Sequence, residues 1–178
     1  GLGGTYDSTN ACGVPDVTVI AKIGFDHMAI LGDTLAKIAA EKAGIIKRGT
    51  ALVLESQEKE AMDVLNKAAE RADIKTIKVV NLDEIRILPQ KDGKQCFSYA
   101  GYDAVTMKML GVHQYENAVA AMLAAELFFE KYFAGKKNVP ERKALQHAIR
   151  EGIDRTQWMG RMELVSNDPF FLMDGAHN

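Results

Sequence analysis

Cysteine is almost missing from this chain, and so are several features that would set it apart from ordinary globular proteins. Cys12 and Cys96 stand far apart without CxxC spacing. That excludes a disulfide framework and a zinc site, and it points to a reducing compartment. No charge of one sign dominates: 22 Lys and Arg face 24 Asp and Glu, for a net charge of −2. Without a basic field, neither nucleic acid nor an anionic membrane surface is an expected partner. No apolar run approaches the ~20 residues a membrane helix needs. The first residues also lack the charged and apolar regions of a leader. A cytoplasmic protein is therefore expected. The phosphate cradle GxxxxGK[ST] occurs nowhere, and "GLGGTY" is not GxGxxG, because Tyr6 occupies the third glycine position.

What is present reads as a layered α/β protein. With 47% hydrophobic and 26% charged residues, 178 positions suffice for a full-sized core. "DVTVIAKIGFDH" (residues 16–27) is a β-branched, nearly continuous apolar run, which predicts a parallel strand covered on both faces. A helix follows, capped by Asp33 and stopped by Gly44, with Leu35, Ile38 and Ala39 on its apolar face. The strand "ALVLES", a helix over about 59–72 and the strand "IKTIKVV" complete a strand–helix alternation. The rhythm then changes to period two around Lys91-Asp92-Gly93, a hairpin signal, with a further turn near Gly101. Long helices are predicted over 114–133 and about 141–152. Two strands flank Asn167-Asp168-Pro169.

Several residues carry possible chemistry. His27 sits where a buried parallel strand gives out, the usual side for ligands in open α/β sheets. Its imidazole can coordinate a metal or simply hydrogen-bond the loop. Lys42 falls on the same helical stripe as Leu35, Ile38 and Ala39. A lysine there snorkels outward, pairs with a carboxylate, or loses its charge to desolvation. The neutral amine is also the form that reacts with carbon dioxide. His113 and Asn117 share a helical face at i, i+4, where an asparagine caps the helix or meets a planar ligand. Arg161, beside a glycine, suits a phosphate or carboxylate contact. "DGAHN" (residues 174–178) gathers acid, imidazole and amide in one loop. The opening glycines are expected to permit close backbone approach to a site that other residues complete.

Taken in order, these stretches resemble the folylpolyglutamate synthase family, whose members also include dihydrofolate synthases, within the ATP-dependent Mur ligase superfamily. The resemblance rests on "GLGGTYDSTN", "KIGFDHMAILGDTLAKIAAEKAGIIKRG", "HQYENA", "WMGRME" and "DGAHN", which span the chain. Thr5, Arg48 and Met159 depart from the family's usual arginine, proline and proline.

The resemblance implies a three-layer parallel-sheet ATPase domain of the Mur ligase type, incomplete here. It implies an antiparallel hairpin excursion and the first strands of a second α/β domain. Residues 1–156 would be the later part of the central ATP-binding domain, and 157–178 the hinge and the start of the C-terminal domain. The family's phosphate-binding loop and a magnesium-binding glutamate would lie upstream of Gly1, so the fragment alone is expected to turn nothing over. His27 becomes a magnesium ligand, and Lys42 becomes the carbamylated lysine that helps hold a second magnesium. Asn117 would contact the adenine, Arg161 the nucleotide phosphates, and Asp174 and His177 the nucleotide from the second domain. The implied reaction is ATP-dependent amide formation between a folate or dihydropteroate carboxylate and L-glutamate, in a parent expected to be a monomer. Two alternatives remain. One is a peptidoglycan-precursor amino-acid ligase of the same superfamily. The other is a non-catalytic nucleotide-binding domain, which the absence of an upstream phosphate loop would favour.

Overall fold

A computed structural model describes residues 4–5, 8–25 and 33–175. They fall into two compact units. The first comprises Gly1–Val80 with Leu123–Ala134, the second Asn81–Met122 with Gly135–Asn178. The chain is a mixed α/β protein with one parallel sheet and antiparallel excursions, as expected.

In the first unit, β1 (Val17–Ile20), β2 (Ala51–Leu54) and β3 (Ile77–Val79) form a parallel sheet in that order. Val19 pairs with Val53, and Leu52 with Ile77. Helices α1 (Leu35–Lys42) and α2 (Lys59–Arg71) are the connections between the strands. Because side chains alternate along a strand, Ile20, Leu52 and Leu54 share one face. They form one cluster with Ile38 and Ala39 of α1 and with Ala61, Leu65 and Ala69 of α2. Ile38 and Leu65 are wholly buried, each worth ~1.5–3 kcal/mol against exposure.

The strand expected over 16–27 is shorter and less covered than its composition suggested. As an edge strand, β1 leaves Val19 40% exposed, while β2 in the centre buries Leu52, Val53 and Leu54 completely. Beyond Ile20 the ladder continues through side chains. Lys22 N donates to Glu55 Oε2 at 2.7 Å, Ile23 N donates to Gln57 Oε1 at 2.8 Å, and Gln57 Nε2 donates to the Ala21 carbonyl at 3.1 Å. These bonds satisfy backbone groups that would otherwise end the sheet unpaired.

The start of α1 also differs by one residue from the reading of its sequence. Thr34, not Asp33, is the N-cap, its hydroxyl accepting from Lys37 N at 3.2 Å. Asp33 instead pairs with Lys37 Nζ at 2.8 Å on the surface, and the hydrogen bond from that ammonium holds its carboxyl below the usual value. At the other end, α1 stops at Lys42 with Ala43 as its C-cap, just before Gly44 as expected, and a 3₁₀ turn over Ala43–Ile45 carries the chain on.

In the second unit, β4 (Arg86–Lys91), β5 (Lys94–Tyr99) and β6 (Tyr102–Met107) form an antiparallel meander. Asp92 and Gly93 both have positive φ, as the predicted tight hairpin demands. Phe97 is fully buried and meets Tyr115 edge-on at 5.6 Å. Tyr115 lies on α3 (His113–Phe133), whose residues from Leu123 on belong to the first unit. Helix α4 (Arg142–Arg155) packs on β6. There Asp154 accepts from Lys94 Nζ at 2.7 and 2.8 Å and from Thr106 Oγ1 at 2.5 Å. Strands β7 (Glu163–Asn167) and β8 (Phe170–Met173) pair around the expected turn. Cys12 is exposed and Cys96 buried, both as free thiols. Among the described residues no helix is long and apolar enough to cross a membrane.

Candidate functional site

Lys42 ends α1 and is half-buried, beside partly buried Ala43, Ile45 and Ile46. Its Nζ has no hydrogen-bond or ion-pair partner among the described residues. The turn that carries it is met by the opening glycine segment. Gly4 N donates to the Glu41 carbonyl at 2.7 Å. A Cβ on Gly4 would lie 2.6 Å from Glu41 O and 2.7 Å from Lys42 O, so no other residue fits there without displacing backbone. Gly44 is required for the same reason from the opposite side, since its Cβ would lie 2.6 Å from Thr5 N. The small residue at 44 thus answers to a close approach as well as following the end of the helix. Thr5 is the residue packed against it.

Asn117 stands in the first turns of α3, its Nδ2 donating to Gln114 Oε1 at 3.1 Å, while Gln114 Nε2 lies 3.1 Å from His113 Nε2. A residue the sequence did not flag lies between them. Glu116 Oε2 is buried with no hydrogen-bond partner among the described residues, and no periodicity marks a carboxylate as orphaned.

Arg161 and Asp174 come together in the second unit. Arg161 is exposed on the turn between Gly160 and Met162. Asp174 Oδ2 accepts from Met162 N at 3.1 Å, and Gly175 N donates to the Gly160 carbonyl at 2.7 Å. Gly160 N in turn donates to Glu163 Oε2 at 2.9 Å. The "WMGRME" and "DG" stretches are therefore stitched to one another, thirteen residues apart in sequence. A hollow of ≈ 440 Å³ beside them is lined by Lys94, Lys108, Trp158, Met159 and Arg161, among others.

His27 and His177 lie outside the described residues. Among the described residues no group of three or more His, Cys, Asp and Glu side chains is placed to hold a metal ion. Lys42 acquires oxygen donors only once its amine carries a carboxyl group.

Comparison with known proteins places the chain in a family. The profile of the Mur ligase middle domain matches residues 4–125, and the chain belongs to that family. It is similar over its whole length to curated proteins. Against the dihydrofolate synthase/folylpolyglutamate synthase of Bacillus subtilis it is 37% identical over 187 residues, covering 40% of that protein. Against a folylpolyglutamate synthase of Arabidopsis thaliana it is 37% identical over 190 residues, covering 30%. Among solved structures, an FPGS–AMPPCP–folate complex superposes with TM-score 0.85 at 27% identity, over 100% of this chain and 42% of that one. Mycobacterium tuberculosis folylpolyglutamate synthase complexed with ADP gives 0.79 at 31%, over 100% and 39%. The chain thus spans 40% or less of the length of these two curated relatives.

Proposed function

We propose that this chain is the central nucleotide-binding part of an ATP-dependent ligase that joins a folate or dihydropteroate carboxylate to L-glutamate. The parent works as a cytoplasmic monomer, with its ATP-binding domain ending at residue 156 and a hinge and second domain beginning at 157. The observation that carries the reading is the seating of the Lys42 turn against the Gly4–Thr5 segment, where two glycines admit contacts that no side chain would allow. Similarity over the whole of this chain to part of folylpolyglutamate synthases, one solved with AMPPCP and folate, supports the substrate class.

In the reaction, a carboxylate oxygen of the folate attacks the terminal phosphorus of ATP, and the bond to the bridging oxygen breaks. This gives an acyl phosphate and ADP. The amine of glutamate then adds to the acyl carbon, inorganic phosphate leaves, and the amine gives up its proton. Both first reactants are anions, so the protein must supply positive charge. Arg161 supplies a fixed guanidinium for the phosphates. Asn117 holds the adenine by its amide, and Asp174 and His177 meet the nucleotide from the second domain. Magnesium, when bound, neutralises phosphate and carboxylate as they approach.

The residues of this chain that would hold it are His27 and Lys42, the latter as a carbamate. The lone pair of neutral Nζ adds to the carbon of carbon dioxide, one C–O π bond opens onto oxygen, and a proton leaves for solvent. A half-buried amine without an ion partner among the described residues fits that chemistry. A carbamate at the C-terminal end of α1 is an anion beside the helix carbonyls, and a bound cation would offset that repulsion. The test is glutamate-dependent phosphate release from Mg-ATP by the parent-length protein. Release with dihydropteroate or a reduced folate supports the reading. Release only with a UDP-linked muramyl precursor moves the protein to the cell-wall ligases, and silence with all three refutes enzymatic function.

A further inference from the structure

The end of α1 and the turn after it are held only in part by hydrophobic packing, through the partly buried Ala43, Ile45 and Ile46. The buried residues of the helix are Leu35, Ile38 and Ala39, none beyond residue 39, and the 3₁₀ turn over Ala43–Ile45 buries no residue fully. Two polar side chains add to that packing. Asn10 Nδ2 donates to the carbonyls of Thr5 at 3.2 Å and Gly44 at 3.3 Å, bridging segments 34 residues apart in sequence. Lys47 Nζ donates to three carbonyls, Asn10 at 2.8 Å, Cys12 at 2.7 Å and Gly13 at 3.1 Å. An ammonium has three N–H donors, and here each has an acceptor. Lys47 therefore fixes the backbone that presents Asn10, and Asn10 ties the Thr5 segment to the turn carrying Lys42.

The geometry points to Asn10 and Lys47 as positioning residues for Lys42. Neither side chain reaches Lys42 Nζ. They act by holding Thr5 and Gly44, and hence the backbone on both sides of the lysine, in one place. The inference rests on the reading of Lys42 as a carbamylated metal ligand. Because the carbonyls lie at partly exposed sites, losing a donor lets water replace it. The cost then falls on the placement of Lys42 rather than on the fold.

The parent-length protein, supplied with ¹³C-bicarbonate and magnesium, is read by ¹³C NMR for a carbamate signal that disappears in Lys42→Ala. Asn10→Asp keeps the shape of the side chain but cannot donate, and Lys47→Met keeps the stem but not the charge. Each is expected to lower the signal about tenfold and to raise the magnesium concentration for half-maximal activity by a similar factor, as loss of supporting groups around metal ligands does. Lys47→Arg, which keeps donors, restores part of both. Leu65→Ala, which destabilises the same unit from its core, keeps the signal. Wild-type signal and magnesium response in Asn10→Asp overturn the proposal, as does a parallel loss in Leu65→Ala. A wild-type protein with no Lys42-dependent signal, but with the Gly4 amide protected from hydrogen exchange, overturns the reading of Lys42. The positioning role falls with it, and the intact protection identifies which of the two failed.

Discussion

Gly44→Ala and Gly152→Ala are the same substitution, and the structure assigns them opposite signs. Both glycines lie in helical turns and neither needs a positive φ. The unfolded-chain effect of replacing glycine is therefore common to both, a gain of about 0.4–1 kcal/mol. At Gly152, on α4, a new Cβ meets nothing within 4 Å, so only that gain remains. At Gly44 the Cβ would stand 2.6 Å from Thr5 N and 3.1 Å from Thr5 Cα. Ordinary contact begins near 3.4 Å, so the Thr5 segment must retreat by most of an ångström. That weakens the Asn10 bridge and the bond from Gly4 N to Glu41 O. Overpacking of this kind costs ~1–3 kcal/mol, leaving a net loss of roughly 1–2 kcal/mol after the entropic gain. At about 2–4 °C per kcal/mol for a chain of this size, Tm falls by roughly 2–8 °C in Gly44→Ala, while Gly152→Ala rises. Thermal unfolding followed by circular dichroism reads both. Thr5→Gly in the Gly44→Ala background recovers only part of the loss, because the backbone nitrogen stays. A Gly44→Ala protein at or above wild-type Tm would refute the account of why glycine stands there.

Three further outcomes are expected. Thr34→Ala costs about 1 kcal/mol of stability by removing the N-cap acceptor, and Asp33→Asn costs much less; equal losses in urea titrations would restore Asp33 as the cap. Asp154 is held below the ordinary carboxylate value of 3.8 by the hydrogen bonds from Lys94 and then Thr106. A depressed folded pKa adds stability above 3.8 that is lost as pH falls through the folded value. Asp154→Asn should therefore be about 1 kcal/mol less stable than wild type at neutral pH, the two curves converging in acid; a gap constant with pH would sink the linkage. In the parent-length enzyme, Lys42→Ala loses activity that added formate or acetate partly restores, measured as phosphate release; full activity without rescue makes Lys42 an ordinary snorkelling side chain.

The alternation of strand and helix over 16–80 and the hairpin at Asp92-Gly93 were legible because each follows from local periodicity and turn chemistry. The errors came where a neighbour far along the chain decides. Asp33 and Thr34 are both good caps, and only the geometry of the first turn separates them. Gly44 was legible only as a helix stop, since nothing local reveals that Thr5 rests on it. The run over 16–27 had the composition of a buried strand, but composition does not reveal that β1 lies at the edge of the β1–β2–β3 sheet, or that Glu55 and Gln57 side chains take over the pairing beyond Ile20. For the site, Lys42 stood out because a cation interrupts an apolar stripe. Asn10 and Lys47 did not, because their partners are backbone carbonyls, which every sequence contains and no pattern marks.

The ammonium of Lys47, seated among the carbonyls of Asn10, Cys12 and Gly13, also bears on how the protein meets its medium. Converging carbonyls are the kind of nest that soluble cations fill, and a turn closed in that way loosens when its ion is chelated or exchanged. Here the cation is tethered by its own side chain, at an effective concentration no buffer alters. The turn at residues 10–13 keeps its shape under dialysis, chelation or changes of salt. Covalent neutralisation of one amine, by acylation of Lys47, is what opens it.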